Sequence, residues 1–283
     1  MRIEFECVYL HTQTIQMYMK KLLITILVLS SMVLPITADN NELWITHGQR
    51  KIYGVLSVPE GVAKKKVAII SHGFNGTHHF GRDYFLTLNK QGYEVYTFDF
   101  PYGSVNSKSD NNTMNMSILD QKNDLKAIVR YFQAQPDVDK DSIILIGESQ
   151  GGLVSALAAA DLKDEVRRLI LIYPALCIPD NWNKRYPKVC DIPDTTLLWN
   201  VPLGRRFFKE IRHLKPLKAI TKYQGPVLII HGSQDKVVPV DYSEQAMKNY
   251  RQAHLYILRG AGHGFTPKQR QESNAIIKEF LEK

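Results

Sequence analysis

An apolar run, Ser142-Ile143-Ile144-Leu145-Ile146, leads directly into Gly147-Glu148-Ser149-Gln150-Gly151, and a small-residue segment of helical character, Gly152 to Ala160, comes next. Strand, sharp turn, helix is the setting in which G-x-S-x-G lifts a serine hydroxyl clear of its backbone. The turn is tight, and side chains two residues before and two after the serine would collide, which accounts for Gly147 and Gly151. This constrains the fold strongly, because a buried strand that feeds a helix through such a turn belongs to a sheet covered on both faces. Glu148, inside the turn, is expected to pack or hydrogen-bond behind the serine.

A serine hydroxyl is a poor nucleophile unless a base takes its proton and an acid holds that base. Downstream, Val227-Leu228-Ile229-Ile230-His231-Gly232 has a buried-strand pattern and ends in Ser233-Gln234-Asp235, which makes Asp235 the expected acid. A further strand, Leu255 to Leu258, runs into Ala261-Gly262-His263-Gly264, and His263 on this glycine-flanked loop is the expected base. Thr266-Pro267 then opens a terminal helix, an N-cap followed by Pro at the first helical position. The oxyanion of an acyl transfer needs two fixed N–H donors. One is expected from the backbone of Gln150. The other is expected from Phe74, in the H-G-x-x-G turn His72 to Gly76 that comes after the strand Lys66 to Ile70. His72, His78 and His79 lie close together, but no cluster of Cys, Asp or Glu with ligand spacing accompanies them, so neither a metal nor a cofactor is expected.

The remaining periodicity predicts strands near 43–47, 52–58, 66–71, 93–99, 142–148, 168–173, 227–231 and 254–259, and helices near 79–91, 118–134, 150–161, 241–251 and 267–282. Strands alternating with helices imply a mostly parallel eight-stranded α/β sheet with helices on both faces. The short link His47-Gly48-Gln49-Arg50 makes the first pair a hairpin, so that edge is expected to be antiparallel. Ser117-Ile118-Leu119-Asp120 resembles a capping box. After the sixth strand, about residues 177–225 break the alternation, and connections this long are usually functional.

The chain is long enough for one domain with a sizeable core. Met19-Lys20-Lys21, the apolar run Leu22 to Leu34 and the small residues up to Ala38 describe a secretory signal peptide. The expectation is therefore a leader, 1–38, with 1–18 as an upstream extension. A domain at 39–283 would be exported to the periplasm or the cell exterior after cleavage near Ala38. The apolar run is short for a membrane span, so no stable span is expected in the mature chain. The net charge of +8 is spread without an aromatic-interleaved basic stripe, which argues against a nucleic-acid partner. Export would permit a bridge between Cys177 and Cys190, and their spacing leaves the pairing open.

From about Glu42 to Lys283 these motifs resemble the α/β-hydrolase superfamily, in which the chain order is Ser, then Asp or Glu, then His. Within it the sequence is similar to bacterial cinnamoyl and feruloyl esterases. The likeness rests on His72-Gly73-Phe74-Asn75-Gly76, Ser149-Gln150-Gly151-Gly152, the stretch Ile192 to Gly204, Gly232-Ser233-Gln234-Asp235 and Gly262-His263. The resemblance implies an α/β-hydrolase fold and a 177–225 insert forming a cap over the site. It implies Trp199 and Phe207 as substrate-binding residues, with Phe207 standing where a tyrosine hydroxyl is expected. The activity it implies is hydrolysis of a small-molecule or polysaccharide-linked carboxylic ester through an acyl-enzyme. A serine aminopeptidase is the enzymatic alternative and would need an acidic pair for the substrate's amino group. A non-catalytic binding protein is the other alternative.

Overall fold

A computed structural model describes residues 41–59, 61 and 64–283. The expected leader, its cleavage point and Cys7 lie outside the described residues. The strands are β1 Asn41–His47, β2 Arg50–Ser57, β3 Lys65–Ser71, β4 Tyr93–Phe98, β5 Val138–Glu148, β6 Arg168–Ile172, β7 Thr195–Leu198, β8 Val201–Gly204, β9 Val227–Gly232 and β10 Ala253–Leu258. The helices are α1 Arg82–Lys90, α2 Ile118–Gln133, α3 Gln150–Leu162, α4 Ile178–Arg185, α5 Arg205–Ile211, α6 Pro216–Ala219, α7 Asp241–Asn249 and α8 Pro267–Glu282.

Eight strands form one sheet in the order β1-β2-β4-β3-β5-β6-β9-β10. The hairpin β1–β2 and the β2–β4 pair are antiparallel, and every other pair in this sheet is parallel. The parallel strands read as continuous apolar runs because both of their faces are covered. Alternation then sorts the side chains. Val67, Ile69, Ile143, Leu145, Leu169, Leu171, Val227 and Ile229 point to the face that carries α2 and α3. Their neighbours Ala68, Ile70, Ile144, Ile146, Ile170, Ile172, Leu228 and Ile230 point to the face under α1 and α8.

Local chemistry sets most of the helix ends. Thr266 and Gln269 exchange side-chain bonds with each other's backbone N–H ahead of Pro267. At α2 only half of the expected capping box forms. The Ser117 hydroxyl accepts from Asp120 N at 3.1 Å. The Asp120 carboxylate turns away to Arg206 at 2.9 Å. Helix α1 begins at Arg82, later than the predicted 79, because Gly81 takes the left-handed φ of +85° just before it. The insert after β6 is structured. It holds α4, the β7–β8 hairpin, α5 and α6, and the first three of these border a cavity at the Ser149 turn.

Candidate active site

Ser149 occupies the turn between β5 and α3 with φ 51° and ψ −117°. Few non-glycine residues hold this conformation, and here three backbone bonds enforce it. The Ser149 N–H donates to Ile172 O at 3.0 Å, while its carbonyl accepts from Leu153 N and Ala175 N at 3.1 and 2.8 Å. The flanking glycines are required sterically. A Cβ on Gly151 would strike the carbonyl oxygens of Ser71 and His72, and one on Gly147 would strike Gly151 O and the Ser155 hydroxyl.

The strands β5 and β9 and the loop after β10 end at the same edge of the sheet, which brings three side chains together. His263 Nε2 lies 3.0 Å from Ser149 Oγ, and His263 Nδ1 lies 2.7 Å from Asp235 Oδ2. The Asp235 carboxylate is fully buried. Its Oδ1 accepts from the backbone N–H groups of Val237 and Val238 at 2.8 and 2.9 Å. Hydrogen bonds of this kind fix the position of a carboxylate. The arrangement leaves His263 Nδ1 as the donor to Asp235 and Nε2 free to take the serine proton.

Two further residues complete this scaffold, and neither carries a sequence signal as a site residue. His231, on β9, lies with Nε2 3.3 Å from Asp235 Oδ2 and 3.1 Å from Val238 O. Both are acceptors, so Nε2 bears the hydrogen, and Nδ1 accepts from Ser243 at 2.7 Å. Burial pushes the His231 pKa down and keeps the ring neutral. Tyr173, at the end of β6, lays its ring 4.7 Å from that of His263 and 4.8 Å from that of Phe265. Its hydroxyl donates to Glu148, so Glu148 does hydrogen-bond behind the serine. Burial pushes the Glu148 carboxyl up to about 7.

The loop His72–Gly76 approaches Ser149 closely: a Cβ on Gly73 would lie 3.2 Å from that of Ser149. His72 fixes the loop. Its Nε2 accepts from Phe100 N at 3.1 Å, so its Nδ1 hydrogen goes to Gly73 O at 2.7 Å. Burial lowers its pKa, which suits the neutral ring that this pattern needs. Asn75 N donates to Gly103 O at 3.2 Å and anchors the far side. The N–H groups of Phe74 and Gln150 make no hydrogen bond among the described residues. The Gln150 side chain points away, toward Gln121 Oε1 at 3.0 Å.

Ser149, Phe74 and Gln150 open onto a cavity of about 310 Å³. Insert residues form much of its wall. Phe207 is buried there at 1% exposure, whereas Trp199 stands 65% exposed, its ring 5.7 Å from that of Phe74. Trp182, Leu198 and Ile178 add apolar surface, and Arg185 and Asn181 add polar groups. Cys177 also lines the cavity. It and Cys190 are both free, and burial pushes the Cys177 thiol up to about 11, which makes it a poor nucleophile. The start of the insert shows no clear strand-helix alternation, so Arg185 and Asn181 were not legible as cavity residues from sequence.

The chain spans 54% of the length of YqkD of Bacillus subtilis, matching it over 170 residues and 57% of its own length at 28% identity. It spans 55% of the mouse serine hydrolase BPHL, at 22% identity over half of its own length. It is also similar to the solved structure of Est1E from Butyrivibrio proteoclasticus with ferulic acid bound. That likeness has 28% identity and a TM-score of 0.77, and it covers 84% of this chain and 97% of that one. The profile of the dienelactone hydrolase family matches residues 52–280, nearly the whole described fold, and the chain belongs to that family.

Proposed function

We propose that this hydrolase is an exported serine esterase that cleaves small carboxylic esters, of feruloyl type or with other acyl groups, through an acyl-enzyme. The observation that carries the reading is the hydrogen-bonded series Ser149–His263–Asp235 at the cavity wall, beside two N–H groups without partners among the described residues. Ser149 Oγ attacks the ester carbonyl as His263 Nε2 takes its proton. The carbonyl oxygen becomes an oxyanion beside the N–H groups of Phe74 and Gln150. Collapse breaks the bond to the alcohol, which leaves with the proton from His263. Water then adds by the same route, its proton passing to His263 and on to Ser149 Oγ, and the acid is released. Asp235 keeps its charge throughout and stabilises the imidazolium. The ferulic acid found with Est1E supports an aromatic acyl group, and the apolar Trp199, Trp182 and Phe207 walls suit one.

An aminopeptidase would need acidic side chains to hold the substrate's ammonium, and no acidic residue lines this cavity among the described residues. A binding protein would have no use for a strained serine aimed at an oriented histidine. The test is a pre-steady-state assay with a 4-nitrophenyl acyl ester. A burst of nitrophenol equal to the enzyme, with acyl mass on Ser149, supports the proposal. Turnover without any acyl adduct on Ser149, or no turnover, defeats it. The exported form is proposed to begin near Asp39, with 39–283 as the domain and about 177–225 as its cap. N-terminal sequencing of protein from the native host decides this, and a mature terminus at Met1 or Met19 would overturn it.

A further inference from the structure

Trp199 and Val237 line the cavity and yet stand 65% and 42% exposed. Leu197, on the same β7–β8 hairpin as Trp199, is 64% exposed. Val105 is 40% exposed, and its N–H donates to the Asn75 side chain at 3.0 Å. Asn75 is next to Phe74, whose ring meets that of Trp199. These side chains make an apolar rim at the cavity mouth, open to water. Single apolar residues are ordinary on a surface, whereas a group of them at the entrance to a site marks a contact surface.

The backbone resists a tryptophan at position 199. Leu198 pairs with Val201, so Trp199 and Asn200 form a two-residue turn, with φ of +47° and +64°. Asn and Gly adopt such a pair readily, and a bulky aromatic does not. Burial does not explain the residue either, since most of it is in solvent. Cations flank the rim. Residues 177–225 hold ten Lys and Arg against four Asp and Glu, so this segment carries +6 of the chain's net +8. Lys184, in the last turn of α4, Lys188, just beyond it, and Lys236, beside Val237, are all exposed. None has a carboxylate within ion-pair distance among the described residues, and Asp194 and Glu210 of the insert are taken by Arg205 and Arg206.

We infer that this rim docks on a lipid bilayer with anionic headgroups. Trp199, Leu197, Val105 and Val237 enter the interface, and Lys184, Lys188 and Lys236 meet the headgroups. A protein seated on the rim would close the cavity, whereas a bilayer dissolves apolar esters and presents them to its mouth. Charge selects the lipid, because lysines without counter-ions favour an anionic surface. The attachment is peripheral: among the described residues no helix is long and apolar enough to cross a membrane. The docking stands without the esterase reading, and the delivery of an ester from the bilayer to Ser149 rests on it.

The experiment uses vesicles of ether-linked phosphatidylcholine, alone or mixed with ether-linked phosphatidylglycerol, which offer no acyl ester to cleave. Wild type should co-sediment with the mixed vesicles roughly ten- to a hundredfold more strongly at low salt, a difference that added salt diminishes. Lys184→Glu, Lys188→Glu and Lys236→Glu together should erase that difference. Leu197→Ser and Val105→Ser should each weaken partition roughly three- to tenfold, with Tm and hydrolysis of a water-soluble ester unchanged. A nitroxide-bearing lipid should quench tryptophan fluorescence in wild type and not in Trp199→Phe. Absence of co-sedimentation at low salt, equal affinity for the two vesicles, unchanged partition in both serine variants, or quenching that survives Trp199→Phe overturns the inference. A dimer in vesicle-free solution that Leu197→Ser dissolves would assign the rim to a second copy and overturn it too. If wild type cleaves no ester in water or in vesicles, the esterase reading fails, and the partition measurements still decide the docking.

Discussion

The ring of Tyr173 lies 4.7 Å from the imidazole of His263 at an angle of 56°, and the Tyr173 hydroxyl ends on the Glu148 carboxyl. The residue before the serine thereby supports the ring on which His263 rests. Tyr173 itself is held at a φ of +34° between β6 and Pro174, with its N–H on Ile230 O at 2.7 Å. The elbow and the histidine loop, far apart in the chain, are one packed unit.

That unit has a pH signature. Burial raises the Glu148 carboxyl from 4.5 to about 7, against the opposing pull of Tyr173 and Arg270. A raised acid pKa means that the folded chain favours the protonated form. Its contribution is whole below pH 4.5 and is lost as pH rises through about 7. Glu148→Gln keeps an acceptor for Tyr173 and removes the charge. It should stabilise the protein by up to ~3 kcal/mol at about pH 8 and by little at about pH 4.5. Urea unfolding at both values measures this, and equal gains at both would refute the assignment.

Ser149→Ala should cost on the order of 10⁴ or more in turnover and leave the fold in place, since in the proposed mechanism the hydroxyl serves only attack. His263→Ala should be as damaging, and Asp235→Asn somewhat less. Ser149→Gly should be inactive yet more stable by about 1 kcal/mol, because glycine tolerates the φ that serine is forced to adopt. Steady-state kinetics and thermal melts on the four variants separate chemistry from folding.

Gly151→Ala should destabilise by about 1–3 kcal/mol or prevent folding, because the new methyl meets two carbonyl oxygens that belong to β3 and the His72 loop. Those segments cannot yield without moving Phe74 as well. Soluble Gly151→Ala with wild-type stability and activity would show that the turn is looser than its geometry implies.

Phe207 is buried against the cavity and carries no polar side-chain atom. Phe207→Tyr supplies a hydroxyl able to meet a phenolic or methoxy oxygen. The ratio of kcat/KM for feruloyl over short-chain esters should rise, at best about tenfold, the worth of one hydrogen bond. An unchanged ratio with both rates intact would remove Phe207 from the acyl site.

Much of the fold was legible because its signals are local. Buried parallel strands must be apolar on both faces, so β3, β5, β6 and β9 stand out as runs, and turn chemistry marks the starts of α2 and α8. The meeting of Ser149, Asp235 and His263 was legible because each sits just past a strand, and a parallel sheet brings the loops at its strands' C-terminal ends to one edge. The sequence by itself therefore determined the sheet, its antiparallel edge and the residue types offered at the other ends of the strands. Only the tertiary structure decided the rest. His231 meeting Asp235, Tyr173 lying beside His263, and Arg185 lining the cavity depend on how separate segments pack. No periodicity encodes them, since they exist only once the strands have aligned and the insert has packed across their ends.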